Sequence, residues 1–400
     1  MPVPGLRSRP ARLWAAGGLL LVLALVTALL GMTLGGARRA GAAADGLPHT
    51  TVEVSPSGCG RGWSRPVPGL QVFELHNTSS GAAEVYLEDP RSRAVYGEVE
   101  GIGPGTTRQL TVRLGRGSYA FTCLPDDAGA VRGPTVRVGS GQAGPAAAPV
   151  TEHDLVPLAI DYQKWVGGGL DEVVRLTGQL RDAIDGGDLG RARADWLPAH
   201  LAYERLGAAY GAFGEADTRI NGTDAGLPGG VRDPSFTGFH RIEYGLWHGQ
   251  PATTLRAPAD ALLKAVTTLR ADWVQARMDP AQLGLRAHEI LENTVQSELT
   301  GRTDYGSGST LATARAHLDG TRAVLSRLHP LLRTRYPDLP GLDRQLDRAQ
   351  RTLDGFRRGD RWTPLDRLGR APRERADAVL GDLVERLASV ATLCDPRRTV

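Results

Sequence analysis

GSGQAGPAAAP, residues 139–149, divides this chain. It holds glycine, alanine, proline, one serine and one glutamine, none of which builds a core, so it reads as a linker. Its flanks decide the fold, because the period of the apolar residues changes across it. Upstream, over residues 50–138, the runs TTVEV, LQVFEL, AEVYL, RQLTVRL, SYAFTC and TVRV alternate with period two. Turn-forming stretches such as HNTSSG, GPGTT and GRGS separate them. Short strands at this spacing over about 100 residues predict a β-sandwich. Downstream the period becomes helical. LDEVVRLTGQLRDAI puts Leu170, Val173, Val174, Leu180 and Ile184 on one face, and STLATARAHLDGTRAVLSRLHPLL carries Leu311, Leu318, Leu325 and Leu332 seven apart, with Ala314, Thr321 and Leu328 between. Further amphipathic segments cover residues 342–356 and 373–393, so an all-α bundle of roughly six to eight helices is expected. The expected organisation is a multi-domain chain: an N-terminal segment over 1–44, a β-sandwich over 45–138, a linker over 139–150 and a helical bundle over 151–400.

Length agrees with more than one domain. The chain has 400 residues, beyond the roughly 250–300 at which single cores stop growing. Its formal net charge of +3 misleads until it is located. Residues 1–44 carry Arg7, Arg9, Arg12, Arg38 and Arg39 and no acid, and removing those five positive charges leaves −2 over residues 45–400. Nucleic acid is therefore not an expected partner. Between Arg12 and Arg38 run 25 uncharged residues, LWAAGGLLLVLALVTALLGMTLGGA (13–37), more than the ~20 that a helix needs to cross a bilayer. The preceding arginines favour a cytoplasmic N-terminus, and AGAAAD offers an A-x-A-like cleavage site at Ala42 to Ala44. Residues 1–44 thus read as a signal peptide or as a membrane anchor. Both place the remainder outside the cytoplasm, in the periplasm or on the outer face of the cell membrane. In an oxidising compartment Cys59 and Cys123 read as a disulfide, and Cys394, near the C-terminus, as a buried thiol.

The chemistry is concentrated in FTGFHRIEYGLWHG, residues 236–249. On a helix His240 and Glu243 are i, i+3 neighbours, beside the apolar stripe of Phe239, Ile242 and Leu246. A carboxylate at the border of a core needs a cation or hydrogen-bond donors, and imidazole next to carboxylate is a common pair of metal ligands. Di-iron bundles use the reverse order, Glu-x-x-His. A second apolar stretch, WLPAHLAYERLGAAYGAFGEAD (196–217), carries Glu204 among Leu201, Leu206, Ala208 and Tyr210, with Asp217 at its end. Two readings of Glu204 stand open. Either it joins the His-x-x-Glu pair at a metal, or it pairs with Arg205 or Arg241 while its i−4 neighbour His200 faces water.

AHLAYERLGAAYGAFGEAD, FTGFHRIEYGLW, HEILENTVQSELTGRTDYGS and ARAHLDGTRAVL resemble, in order and spacing, the imelysin-like domain of EfeO-type proteins of bacterial iron uptake. The resemblance covers about residues 151–336. The leading segment, with PSGCGRGW, AEVYLEDP and GEVEGIGPGTTRQLTVRLGRGSYAFTC, is similar to the cupredoxin-like domain of the same proteins. The resemblance implies a non-catalytic protein that captures iron, as Fe2+ or Fe3+, and delivers it to a membrane permease, with a haem-containing peroxidase of the dye-decolorising type as a second partner. It places the metal site on His240 and Glu243, with Glu204 and Asp217 as further ligands. For the β domain it implies a second metal site, for which Cys59, Cys123, Glu84, Glu98 and Glu100 are the matching residues; a Cys59–Cys123 disulfide would leave only the carboxylates. Copper and zinc are the alternative metals.

Two chemistries are disfavoured by the residues themselves. A blue-copper centre needs His and usually Met shortly after its Cys, and Cys123 is followed by LPDDAGAVRGP. A zinc peptidase, the alternative function, needs a second helical His, and Tyr244 stands where a His-x-x-Glu-His motif would place it.

Overall fold

The structure is a computed structural model, and it describes residues 45–126 and 128–397. The apolar stretch 13–37 and the candidate cleavage site lie outside those residues. Among the described residues no helix is long and apolar enough to cross a membrane. A strand-rich region precedes a helical one. Two compact units are present, one holding the described residues up to Tyr86 with Gly97–Gly144, the other Leu87–Tyr96 with the described residues from Pro145 onward.

The period-two runs form strands β1 (His49–Val54), β2 (Gly69–Asn77), β3 (Ala83–Glu88), β5 (Thr107–Leu114), β6 (Gly117–Pro125) and β8 (Val136–Val138). Two more, β4 (Val95–Ile102) and the short β7 (Val131–Arg132), complete the set. One sheet has the order β1-β2-β5, with β1 parallel and β5 antiparallel to β2. The other has the order β4-β3-β6-β7, with β8 also on β6. In β5, Leu110, Val112 and Leu114 are buried while Gln109, Thr111 and Arg113 are exposed, as alternate faces of a pleat require. Between the sheets Trp63, Phe73 and Phe121 meet edge to face at 5.0–5.6 Å, the preferred geometry for aromatic quadrupoles. Strand β4 escapes period-two reading because VYGEVEGI has two glycines and a half-buried face with no clean alternation. Cys59, just after β1, is bonded to Cys123 of β6. With that bond formed neither sulfur is a thiolate.

The helical part of the chain starts at α1 (Glu152–Asp185). Its start is a reciprocal capping box: Thr151 Oγ1 accepts from the Asp154 N–H at 3.1 Å and the Asp154 carboxylate accepts from the Thr151 N–H at 3.0 Å. The helix runs 34 residues, starting well before the periodic segment at Leu170 and passing through Gly167, Gly168 and Gly169. A Cβ at Gly169 would stand 2.5 Å from Leu206 Cδ2, so close packing explains that glycine. The chain continues with α2 (Leu189–Glu204), the short α3 (Tyr210–Phe213) and α4 (Glu215–Asn221), then α5 (Gly238–Trp247), α6 (Ala252–Asp272), α7 (Leu283–Gln296), α8 (Thr310–Leu332), α9 (Leu339–Asp354) and α10 (Arg370–Leu393). The α8 stripe Leu311, Ala314, Leu318, Thr321, Leu325, Leu328 and Leu332 is buried, and it forms one core with Leu155, Tyr162, Val166 and Leu170 of α1 and Trp196 and Tyr203 of α2.

Candidate metal centre

Helices α2, α5 and α8 and the loop before α8 bring charged side chains into this apolar core. Glu204, in the last turn of α2, is only 2% exposed. Its i−4 neighbour His200 is equally buried, and their Nε2–Oε1 distance is 2.7 Å. The second carboxylate oxygen of Glu204 meets His317 Nε2 of α8 at 2.5 Å. Tyr210 donates to the same oxygen at 2.9 Å, and Asn221 Nδ2 donates to Oε1 at 2.8 Å. Glu204 therefore pairs with two imidazoles and not with Arg205 or Arg241, and His200 does not face water. Arg205 instead pairs with Asp319.

The protonation of His317 is set by its neighbours. The Thr294 hydroxyl, 2.7 Å from the Ile290 carbonyl, spends its hydrogen there, so it accepts from His317 Nδ1–H at 2.8 Å. Nε2 faces a carboxylate and must also donate, which makes His317 an imidazolium. Burial opposes that charge, but the charge and hydrogen bond of Glu204 raise the His317 pKa above its ordinary value. Burial would likewise raise the Glu204 carboxyl, yet the charges of His200 and His317 overrule it and hold the group well below the usual carboxylate range. Protons thus supply the positive charge that a buried carboxylate requires. A metal cation would compete with them, since its ligands must be deprotonated.

His240, at the start of α5, adds a third imidazole. Its Nδ1 lies 3.2 Å from Glu243 Oε2, and its Nε2 makes no hydrogen bond among the described residues. Burial works against protonation of His240, and the Glu243 hydrogen bond and charge reverse it, so the pKa is raised. Glu243 is saturated: besides His240 it accepts, on Oε1, from Tyr305 N–H at 3.0 Å, Ser307 N–H at 3.2 Å and the Ser307 hydroxyl at 2.6 Å. The His200 and His240 rings stand 5.2 Å apart. Ligating atoms of His200, Glu204 and His240 all lie within 4.8 Å of one another. His200 Nδ1 is buried without a partner. The imidazoles of His200 and His240 with the Glu204 carboxylate form a donor set that suits iron, and equally zinc or copper.

The remaining expected ligands fall elsewhere. Asp217, on α4, accepts from the Tyr203 hydroxyl at 2.6 Å and lies at the edge of the cluster. Burial pushes its pKa up to about 6, with Glu204's charge adding to the rise and the Tyr203 hydrogen bond opposing it. Glu84 is half-buried on β3 and accepts from the Tyr86 hydroxyl, while Glu98 and the exposed Glu100 lie on β4. Cys59 and Cys123 are disulfide-bonded and offer no thiolate. His248, beyond the end of α5, is exposed; its ring stacks on Tyr244 at 4.2 Å and Nδ1 meets the Tyr244 carbonyl at 2.9 Å. It stays outside the cluster.

His317 was missed by motif reading, although it lies three residues after Ala314 and four before Thr321, on the core face of α8. Its reach to Glu204 depends on Gly320, where a Cβ would stand 2.5 Å from the Arg205 carbonyl oxygen. Gly320→Ala is expected to push α8 off the end of α2, at a cost of about 1–3 kcal/mol. A lower denaturant midpoint together with weaker metal binding would bear this out; unchanged binding would separate helix spacing from the site.

Comparison with known proteins places a family match over this helical region. The family model for imelysin (Peptidase_M75) matches residues 160–390. The chain is similar to the iron uptake system component EfeO of Yersinia pestis, 27% identical over 325 residues, which cover 80% of this chain and 85% of that protein. It is similar also to the EfeO protein of Escherichia coli O157:H7, 27% identical over 353 residues, covering 87% and 92% of the two chains. A crystal structure from Parabacteroides distasonis overlaps 61% of this chain and 96% of its own, with a TM-score of 0.48 and 13% identity.

Proposed function

The chain belongs to the imelysin family, and on that premise we propose that it is the extracytoplasmic iron-binding component of a bacterial iron uptake system. It captures Fe2+ or Fe3+ in the helical unit and passes it to a membrane iron permease, with a haem-containing dye-decolorising peroxidase as a further partner. The names of its EfeO relatives support iron uptake as the process. The observation that carries the reading is the Glu204 carboxylate, buried between the imidazoles of His200 and His317, with His240 Nε2 open beside them. His200, Glu204 and His240 hold the iron. Glu243, the second member of the His-x-x-Glu pair, fixes the ring of His240 through Nδ1 and leaves Nε2 for the metal, as carboxylates beside ligating histidines commonly do. Asp217 adds negative charge at the edge.

The role is binding, not catalysis. A His-x-x-Glu-His peptidase motif needs its second histidine on the same helix as His240, and neither Tyr244 nor the outward His248 supplies it. The N-terminal unit is cupredoxin-like, with its disulfide leaving Glu84, Glu98 and Glu100 as the donors of a weaker second site. Residues 13–37 carry the chain across the cell membrane, as a cleaved signal or a retained anchor.

Calorimetric titration of the full chain with Fe2+ under anaerobic conditions is expected to show uptake that the triple variant His200→Ala, Glu204→Ala, His240→Ala loses. Absence of uptake of Fe2+, Fe3+, Zn2+ and Cu2+ by the unaltered protein would sink the proposal.

A further inference from the structure

A cavity of about 1170 Å3 opens beside the buried cluster. On one side is the glycine-rich loop of residues 300–310. On the other are β9 (Arg357–Arg358), β10 (Arg361–Trp362) and the residues just after them. Its floor includes Ser307, whose hydroxyl donates to Glu243. The cavity therefore ends one side chain away from the His240–Glu243 pair.

Its outer wall is cationic. Arg358, Arg361 and Arg367 are exposed, and their guanidinium groups make no hydrogen bond or ion pair among the described residues. The arginines next to them in sequence differ: Arg357 pairs with Asp360, Arg370 with Glu374, and Arg373 donates to the Leu365 carbonyl. Four arginines, Arg373 included, and two carboxylates line the cavity, a net charge of +2; Asp304 accepts from the Gly306 and Gly308 N–H groups and Thr310. Trp362 adds a flat, half-buried ring. Such a wall repels a hydrated iron cation and attracts carboxylates, which match the guanidinium fork. The volume slightly exceeds the roughly 300–1,000 Å3 of ordinary small-molecule pockets, room enough for a metal with its chelator.

Resting on the iron-capture reading, we propose that this cavity receives iron as an anionic polycarboxylate chelate, held by Arg358, Arg361 and Arg367, and hands it to the buried ligands. Transfer is ligand exchange without redox change. Iron–oxygen bonds to the chelator break as bonds to His200, Glu204 and His240 form, and the freed polycarboxylate leaves through the cavity.

The test uses the full chain, with citrate alone, ferric citrate, inorganic phosphate and unchelated Fe2+ as separate calorimetric titrants. The variant Arg358→Glu, Arg361→Glu, Arg367→Glu alters only exposed side chains. It is expected to weaken citrate and ferric citrate by about 10-fold or more, equivalent to ~1.4 kcal/mol, and to leave unchelated Fe2+ within about two-fold of the unaltered protein. Equal binding of ferric citrate by variant and unaltered protein would overturn the proposal, as would failure of the unaltered protein to bind citrate. Binding of phosphate without citrate would overturn it too. If unchelated Fe2+ fails to bind while citrate binding still depends on the three arginines, it is the iron-capture reading that falls and the anion site that stands.

Discussion

Glu204→Ala is expected to abolish iron uptake by the helical unit and to lower its stability by about 3–5 kcal/mol, the cost of removing one partner from a buried charged network. The size of the effect reflects the number of groups that Glu204 satisfies. Its two oxygens meet His200, His317, Tyr210 and Asn221 at 2.5–2.9 Å, all in the core. Without the carboxylate, His317 loses the anion that keeps it charged. Glu204→Gln preserves shape and isolates charge: it too should fail to bind iron, but with a smaller loss of stability. The pH dependence has a definite sign. Glu204 is held below its ordinary 4.5, so its contribution is full above about that pH and is lost as pH falls through the lower folded value. His317 is raised above 6.5, so its contribution is full below that pH and is lost as pH rises through the folded value. The stability gap between unaltered metal-free protein and Glu204→Gln should therefore be widest between about pH 4.5 and 6.5. A gap that does not vary across pH 3–8 in urea titrations would show that the pair does not set the charge state of the site.

The second large effect separates a ligand from the group that aims it. His240→Ala removes a nitrogen donor and is expected to eliminate measurable iron binding. Glu243→Gln leaves that nitrogen in place but loosens its orientation, and is expected to weaken binding by about 10–100-fold with unchanged stoichiometry. The difference arises because all four hydrogen bonds at Glu243 go to the protein, three of them to Tyr305 and Ser307. Glu243→Gln should accordingly speed amide hydrogen exchange at Tyr305 and Ser307. If Glu243→Gln destroys binding as completely as His240→Ala, then Glu243 is itself a ligand and not the group that orients His240.

How much of this was legible without coordinates varies with the kind of signal. The strands of the N-terminal unit were readable wherever one face is buried, as in β5, because burial imposes alternation. Strand β4 was not, since its glycines and half-buried residues carry no such pattern. The periodic segment legible from Leu170 is only the second half of α1, which begins at Glu152 and passes through Gly169, where close packing requires a small residue. Within the site, His240 and Glu243 were legible because both lie on one turn of one helix. Their relation to Glu204 was not, and pairing with Arg205 or Arg241 stood as an equal alternative. Only burial decided it, because a carboxylate 2% exposed must meet partners that are themselves inside.

Local periodicity belongs to the chain alone: a β segment, a helical segment and the i, i+3 pair arise from residues adjacent in sequence. Long-range convergence does not. That His317 reaches Glu204 across 113 residues, and that Ser307 reaches back 64 residues to Glu243, are consequences of how α8 packs against α2 and how the loop before α8 meets α5. No local pattern encodes those distances. The tertiary structure decided which carboxylate is the hub of the cluster, which orients a histidine, and that Cys59 and Cys123 are spent on each other.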